Sequence, residues 1–133
     1  MFQLIYVSDF AKSLDGNDLQ EILNTARTNN TKLGVSGKLI KVSHHFFQVI
    51  EGDEATVRSL YSEIKQDPRH ENVRLITSKH SSTREFGDWS MGFSSLLESQ
   101  QEYDAAFILS EFAKRDSFSR AHHQGIGLLL KQV

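Results

Sequence analysis

The sequence predicts an α+β fold, a ferredoxin-like β-α-β-β-α-β-β sandwich with two additional C-terminal helices. Three observations predict it: apolar alternation of period two at the N-terminus, two separated segments with helical apolar spacing, and between those two segments a pair of β-rich runs joined by a short polar turn. At 133 residues the chain has the size of one domain with a real core.

"FQLIYVS" sets Phe2, Leu4 and Tyr6 on one face and Gln3, Ile5 and Val7 on the other, which is the first strand. "NDLQEILNTARTNN" repeats apolar residues at Leu19, Ile22, Leu23 and Ala26, with Asn17 and Gln20 placed as a cap and its reciprocal partner. This first helix is expected to end near Asn29-Asn30. "GVSGKLIKV" and "HFFQVIE" form a hairpin around Ser43 to His45, and period two puts Phe46, Gln48 and Ile50 on one face. Asp53 caps a second helix with Val57, Leu60, Tyr61 and Ile64 on one side, and Asp67-Pro68 stops it, because proline disfavours a helical residue before it. "NVRLITSKH" and "WSMGFSSL" are the fourth and fifth strands of a single antiparallel sheet. The tail predicts helices around Tyr103 to Ala113 and Ser119 to Lys131, the second weakened by Gly125 and Gly127.

Fifteen Lys and Arg against 17 Asp and Glu give a net charge of −2, which offers no electrostatic footprint for nucleic acid or an anionic membrane. The absence of cysteine excludes disulfides, thiolate metal sites and cysteine nucleophiles. No segment has transmembrane length, and the N-terminus runs straight into a strand pattern rather than a leader, so a cytoplasmic protein is expected. His44-His45 and His122-His123 are adjacent pairs that point to different sides of an element, and with no H-E-x-x-H motif they read as surface residues rather than metal ligands. No G-x-S-x-G elbow is present, and "GVSG" is too short for a phosphate loop; it reads as a strand start that tolerates close packing.

What stands out is polarity at core positions. Tyr6, Gln48 and Asn30 converge on the helix-covered face among Phe2, Leu4, Phe46 and Ile50, although each alone also fits an ordinary role: core tyrosine, hydrogen-bonded sheet amide, helix-end cap. Together, three neutral polar groups in an apolar setting suit a planar ligand with an apolar ring and edge donors and acceptors.

These residues carry a resemblance. Over residues 2 to 96 the chain resembles the BLUF domains, blue-light sensors using flavin, through "LIYVS", "DLQEILNTARTNN", "GVSGKLI", "FFQVIEGD", "VRSLYSEIKQDPRH" and "REFGDWSMGF" in order and at family-like spacing. It implies a flavin-binding core over 1–96, a helical extension of the same domain over 97–133, and non-covalent FAD. Tyr6 matches the tyrosine that gives an electron and then a proton to the photoexcited ring. Gln48 matches the glutamine bridging that tyrosine and the flavin, and Asn30 the asparagine on the ring's pyrimidine edge. Asp67, Arg69 and His70 match positions near the ring edge and ribityl chain, Asn29 a position against the ring, and Trp89 and Met91 the alternative neighbours of the glutamine that relay its change. A glutamine suits this role because its amide carries both donor and acceptor, so rotating or tautomerising it exchanges the two ends of the network. "GVSG" and Asp53 depart from the commoner threonine and proline of the family, away from Tyr6, Gln48 and Asn30.

The expected function is a single-domain photoreceptor without catalytic activity, passing its signal to a separate effector protein or through a homo-oligomer. Apolar residues Phe107, Ile108, Phe112, Ile126, Leu128, Leu129 and Leu130 form more than one helix stripe, available for the sheet's open face or for an oligomer interface. Two rivals use the same layout: an acylphosphatase-like enzyme holding an anion with Arg69 and Asn30, and a small-ligand regulatory module.

Overall fold

The computed structural model describes residues 1–10, 16–42, 44–86, 92–95 and 103–132. Its elements are β1 (Phe2–Phe10), α1 (Gly16–Leu33), β2 (Ser36–Val42), β3 (His45–Gly52), α2 (Glu54–Gln66), β4 (His70–His80), β5 (Gly92–Ser95), α3 (Tyr103–Ala113) and α4 (Arg120–Gln132). The element order is the expected one. The strands form one sheet in the order β4-β1-β3-β2-β5.

Strands β1 to β4 pair antiparallel, whereas β5 runs parallel to β2, with Lys38 opposite Gly92 and Lys41 opposite Ser95. The expected all-antiparallel sheet is therefore mixed. The connection shows how: β4 and β2 sit at opposite sides of the β1–β3 pair, and the next strand pairs with β2 rather than with the free side of β4. Side chains and backbone guide that crossing. Ser81 N–H donates to Met1 O at 2.7 Å, and Arg84 donates to Ser36 Oγ at 2.8 Å and Gly34 O at 2.6 Å. The N–H groups of Glu85 and Phe86 donate to the Glu51 carboxylate.

Helix α1 runs past Asn29-Asn30 to Leu33. Its stop signal is Gly34, with φ of +69°, and Val35 N–H donates to Asn30 O at 2.9 Å. That bond and left-handed residue are a Schellman closure, which places Asn30 in the last turn rather than beyond it. Helix α2 begins and ends as expected: Asp53 accepts from Thr56 N–H at 3.4 Å, and Asp67 N–H closes on Ile64 O at 3.1 Å before Pro68. The close packing expected at "GVSG" is real at Gly37, where a Cβ would sit 2.0 Å from Val49 O.

Two apolar clusters separate the faces. Phe2, Leu4, Tyr6, Leu39, Phe46 and Ile50 pack under Leu23 of α1 and Val57 of α2. Ile5, Val7, Ile40, Val42, Phe47, Val49 and Ile76 pack under Leu109 and Ala113 of α3 and Ile126 and Leu130 of α4. The C-terminal helices thus cover the sheet's open face, while Phe107, Ile108 and Leu128 stay exposed. No helix among the described residues is long and apolar enough to cross a membrane.

Candidate functional site

Tyr6 lies in the middle of β1 and Gln48 in the middle of β3, and the antiparallel register sets them directly opposite one another. Their side chains share the face under α1 and α2, and the Tyr6 hydroxyl donates to Gln48 Oε1. Tyr6 is fully buried and Gln48 is 6% exposed, so this pair sits in low-dielectric surroundings where an unmet polar group costs about 1–3 kcal/mol. The amide of Gln48 in the core is thus explained first by the phenol across from it.

Burial drives the Tyr6 phenol far above its ordinary pKa, and Tyr61 and Asp67 push it in the same direction. The hydroxyl therefore keeps its proton at any ordinary pH. Aromatic rings frame it: Tyr61 of α2 lies 5.5 Å away between centroids, and His70 of β4 meets it edge-on at 6.3 Å. His70 also packs on Phe46 at 5.5 Å, and its Nδ1 shares a 3.0 Å hydrogen bond with Ser8 Oγ. Burial lowers the His70 pKa, against a smaller opposing pull from Asp67, which favours the neutral imidazole.

Asp67 and Arg69 form a pair where α2 hands over to β4. Arg69 Nη2 donates to Asp67 Oδ2 at 2.7 Å, and Arg69 Nε lies 3.1 Å from both carboxylate oxygens. These bonds hold the Asp67 carboxyl below its usual range and raise the Arg69 guanidinium further above its own. An anion at Arg69 would share the guanidinium with the Asp67 carboxylate and be repelled by it, which counts against the acylphosphatase-like rival. Asn30 is buried at 1% exposure in the last turn of α1, while its neighbour Asn29 is exposed. The structure thus joins Tyr6, Gln48 and His70 directly, sets Asp67 and Arg69 beside His70 in sequence, and leaves Asn29 outside the buried set. Trp89 and Met91 lie outside the described residues.

Sequence reasoning missed Ser8 and Tyr61 as parts of this site. Ser8 is two residues beyond Tyr6 on a period-two strand, so its face was legible; its partner His70 was not, because β1 and β4 are far apart in sequence. Tyr61 was read only as one of four core residues on its helix.

The residues fit a flavin. Helix α2 lies closely against β1, β3 and β4, whereas among the described residues α1 makes no comparably close backbone approach to the sheet. Around the Tyr6–Gln48 pair this face is lined by apolar Leu39, Phe46 and Ile50 together with the buried amides of Asn30 and Gln48, the mix of hydrocarbon and neutral donor–acceptor groups that the ring and polar edge of a flavin require.

The comparisons with known proteins agree. The family model described as BLUF, sensors of blue-light using FAD, matches residues 1–92. The photoactivated adenylate cyclase subunit beta of Euglena gracilis is 36% identical over 91 residues, which is 67% of this chain and 11% of that protein. A bacterial light-regulated adenylyl cyclase superposes with a TM-score of 0.80 at 25% identity, covering 85% of this chain and 34% of the other. BlrB, a BLUF protein in its dark state, superposes with a TM-score of 0.74 at 29% identity, covering 84% and 82%. The chain thus spans about a tenth of its curated relative but most of BlrB. With the tyrosine and glutamine paired on the face under α1 and α2 and the family model matched along β1 to β4, the chain belongs to the BLUF family of flavin-based blue-light sensors.

Proposed function

We propose that the Tyr6–Gln48 pair is the light switch of a photoreceptor that binds FAD non-covalently, has no catalytic activity of its own, and acts in the cytoplasm through a separate effector protein or a homo-oligomer. One observation carries the reading: the buried Tyr6 hydroxyl donates directly to the Gln48 amide oxygen on the apolar face. A bound flavin would supply the blue-light absorption and an acceptor for one electron and one proton. Tyr6 would supply both, and its phenol, an acid of negligible strength in the dark, would become a strong one once oxidised, so that its proton passes along the existing bond to Gln48 Oε1 while the amide nitrogen of Gln48 gives up one in turn. Gln48 then reverses or tautomerises. After electron and proton return to Tyr6, the phenol oxygen faces a donor where it had faced an acceptor.

Asn30 holds the polar edge of the ring. Asp67, Arg69 and His70 line its rim and the ribityl chain, with Asn29 at the border, and Trp89 and Met91 carry the change onward. Residues 1–96 are the flavin-binding core and 97–133 its helical extension. The choice of FAD is supported by the family description, and a cytoplasmic setting by a chain without cysteine.

Absorption spectra of the purified protein, in darkness and after blue light, test the reading. A flavin spectrum that moves to the red on illumination and recovers in darkness is expected. Tyr6→Phe and Gln48→Leu should keep the flavin and lose that shift. An unaltered photocycle in either variant removes the assigned role, and a colourless protein that refuses added flavin removes the cofactor.

A further inference from the structure

Ser8 follows Tyr6 by two residues on β1, shares its face and is fully buried. The second slip in the β1–β4 pairing, between Val7 and Asp9, falls at this residue, and irregularities of this kind re-aim side chains. His70, at the start of β4, sits with Nδ1 3.0 Å from Ser8 Oγ. The residue is 8% exposed, and its ring lies edge-on to Tyr6 at 6.3 Å and packs on Phe46 at 5.5 Å.

The direction of the Ser8–His70 bond follows from what each group needs. Among the described residues, His70 Nδ1 is the single hydrogen-bond partner of the Ser8 hydroxyl. Were Nδ1 protonated, the hydroxyl would accept from it and its own proton would be buried without an acceptor, which folded proteins avoid. With the hydroxyl donating to a bare Nδ1 both groups are satisfied, and the one proton of the neutral imidazole falls on Nε2. Burial favours that neutral form.

We propose that Ser8 is a positioning residue of the flavin site: its hydroxyl holds His70 in the Nε2–H tautomer, so that the ring presents a hydrogen-bond donor, not an acceptor, to the bound flavin. The proposal rests on the reading of this face as a flavin site. Among the described residues, the hydrogen bonds of the His70 ring are confined to Nδ1, so Nε2–H is the group left for a ligand. A flavin ring carries carbonyl oxygens and bare ring nitrogens along its polar edge against a lone N–H, so a donor is the matching partner. The same bond occupies the basic nitrogen of His70. The ring, although beside Tyr6, therefore does not compete with Gln48 for the phenol proton.

The test is nitrogen NMR of isotope-labelled histidine rings in the full flavin-loaded chain in darkness, with the His70 ring assigned through its own backbone. Nδ1 should resonate as a bare, pyridine-like nitrogen and Nε2 as a protonated, pyrrole-like one. In Ser8→Ala both nitrogens should move toward the average of the two tautomers, and flavin should leave the chain about tenfold faster. Ser8→Thr, which keeps the hydroxyl, should restore the Nε2–H tautomer. A protonated Nδ1 in the unaltered chain overturns the proposal, whether Nε2 is bare or the ring is an imidazolium. So do unchanged His70 nitrogen signals in Ser8→Ala. Should the variants fail to fold, the signals of the unaltered chain still decide. A chain that takes up no flavin removes the cofactor reading and this proposal with it, whereas a reversible light-induced shift over a His70 protonated at Nδ1 removes this proposal alone.

Discussion

Glu51 offers a severe test of how this fold is held together. Its side chain is fully buried at the end of β3, yet it is a carboxylate, and it accepts from Glu85 N–H at 2.9 Å, from Phe86 N–H and from Gln3 Nε2 at 3.2 Å. Replacing it by leucine keeps the volume and removes the acceptor. Gln3 retains Glu85 as a partner at 3.2 Å, so the loss falls on the two backbone N–H groups. Hydrogen bonds to a charged acceptor are each worth roughly 1.5–3 kcal/mol, and stripping an acceptor from a buried donor costs about 1–3 kcal/mol. Phe86 is 3% exposed and bears that cost in full, whereas Glu85 N–H is partly buried and recovers some of it from water. Against this stands the relief of no longer burying a charge, which offsets part of the loss. The net expectation is a destabilisation of about 3 kcal/mol for Glu51→Leu and about half that for Glu51→Gln, which keeps one acceptor oxygen.

Urea denaturation followed by circular dichroism measures the difference, and hydrogen exchange at the Phe86 amide shows where it arises. Because Glu51 lies on the face opposite the Tyr6–Gln48 pair, the folded variant should still bind flavin and shift its absorption under blue light. A stability within about 0.5 kcal/mol of the parent would refute the argument, since that is the scale of a neutral surface change. Loss of the light response in a fully folded Glu51→Gln protein would refute the separation of the two faces.

Three other substitutions or conditions probe different parts of the structure. Gly37→Ala drives a methyl group to 2.0 Å from the backbone oxygen of Val49, so it should cost about 3 kcal/mol or more and appear as a lowered thermal midpoint or an insoluble product. Arg74→Met removes a guanidinium that donates to Asp9 at 2.8 Å, to Arg115 O at 2.9 Å and to Ala113 O; a loss of about 2 kcal/mol is expected, with faster exchange in the last turn of α3. The lowered pKa of His70 makes stability depend on pH: its contribution is complete above the unfolded value of about 6.5 and is lost as pH falls through the lowered folded value, because the unfolded chain then binds the extra proton. Denaturation curves at several pH values should show that slope, and His70→Gln should flatten it.

The period-two pattern of "FQLIYVS" was enough to place Tyr6 on the core face, and the pattern of "HFFQVIE" did the same for Gln48, because each strand buries both faces with distinct sets of residues. Their opposition was not legible, since the β1–β3 pairing joins strands separated by a helix and another strand, and nothing local fixes that register. Asn29-Asn30 misled in the other direction. Asparagine is common at helix ends, but here Gly34 provides the left-handed turn and Asn30 is kept inside the helix with its side chain buried. The parallel placement of β5 was hidden for a similar reason: only the crossing segment, fixed by Arg84 and Glu51, reveals which edge the chain reaches. Glu51 stood at the end of the run "HFFQVIE" with no role assigned to it, because a buried carboxylate is recognisable only once the N–H groups that meet it are known.

The two buried polar pairs on β1 and β3 are related by simple parity. Tyr6 faces Gln48, and three residues earlier on β1 Gln3 faces Glu51, three residues later on β3. An odd offset in a strand of period two must switch faces, so one pair lies under α1 and α2 while the other ties the crossing segment to the opposite side. The β1–β3 ladder that carries both pairs is regular from Phe2–Gly52 to Asp9–His45, whereas β1 and β4 slip twice, between Ile5 and Tyr6 and between Val7 and Asp9. At the second slip Asn72 adopts φ of +49°, a conformation asparagine tolerates better than most residues, and Asn72 Nδ2 and Arg74 Nη2 both donate to Asp9. Irregular pairing therefore flanks Tyr6 on the β4 side only, beside His70 and Ser8.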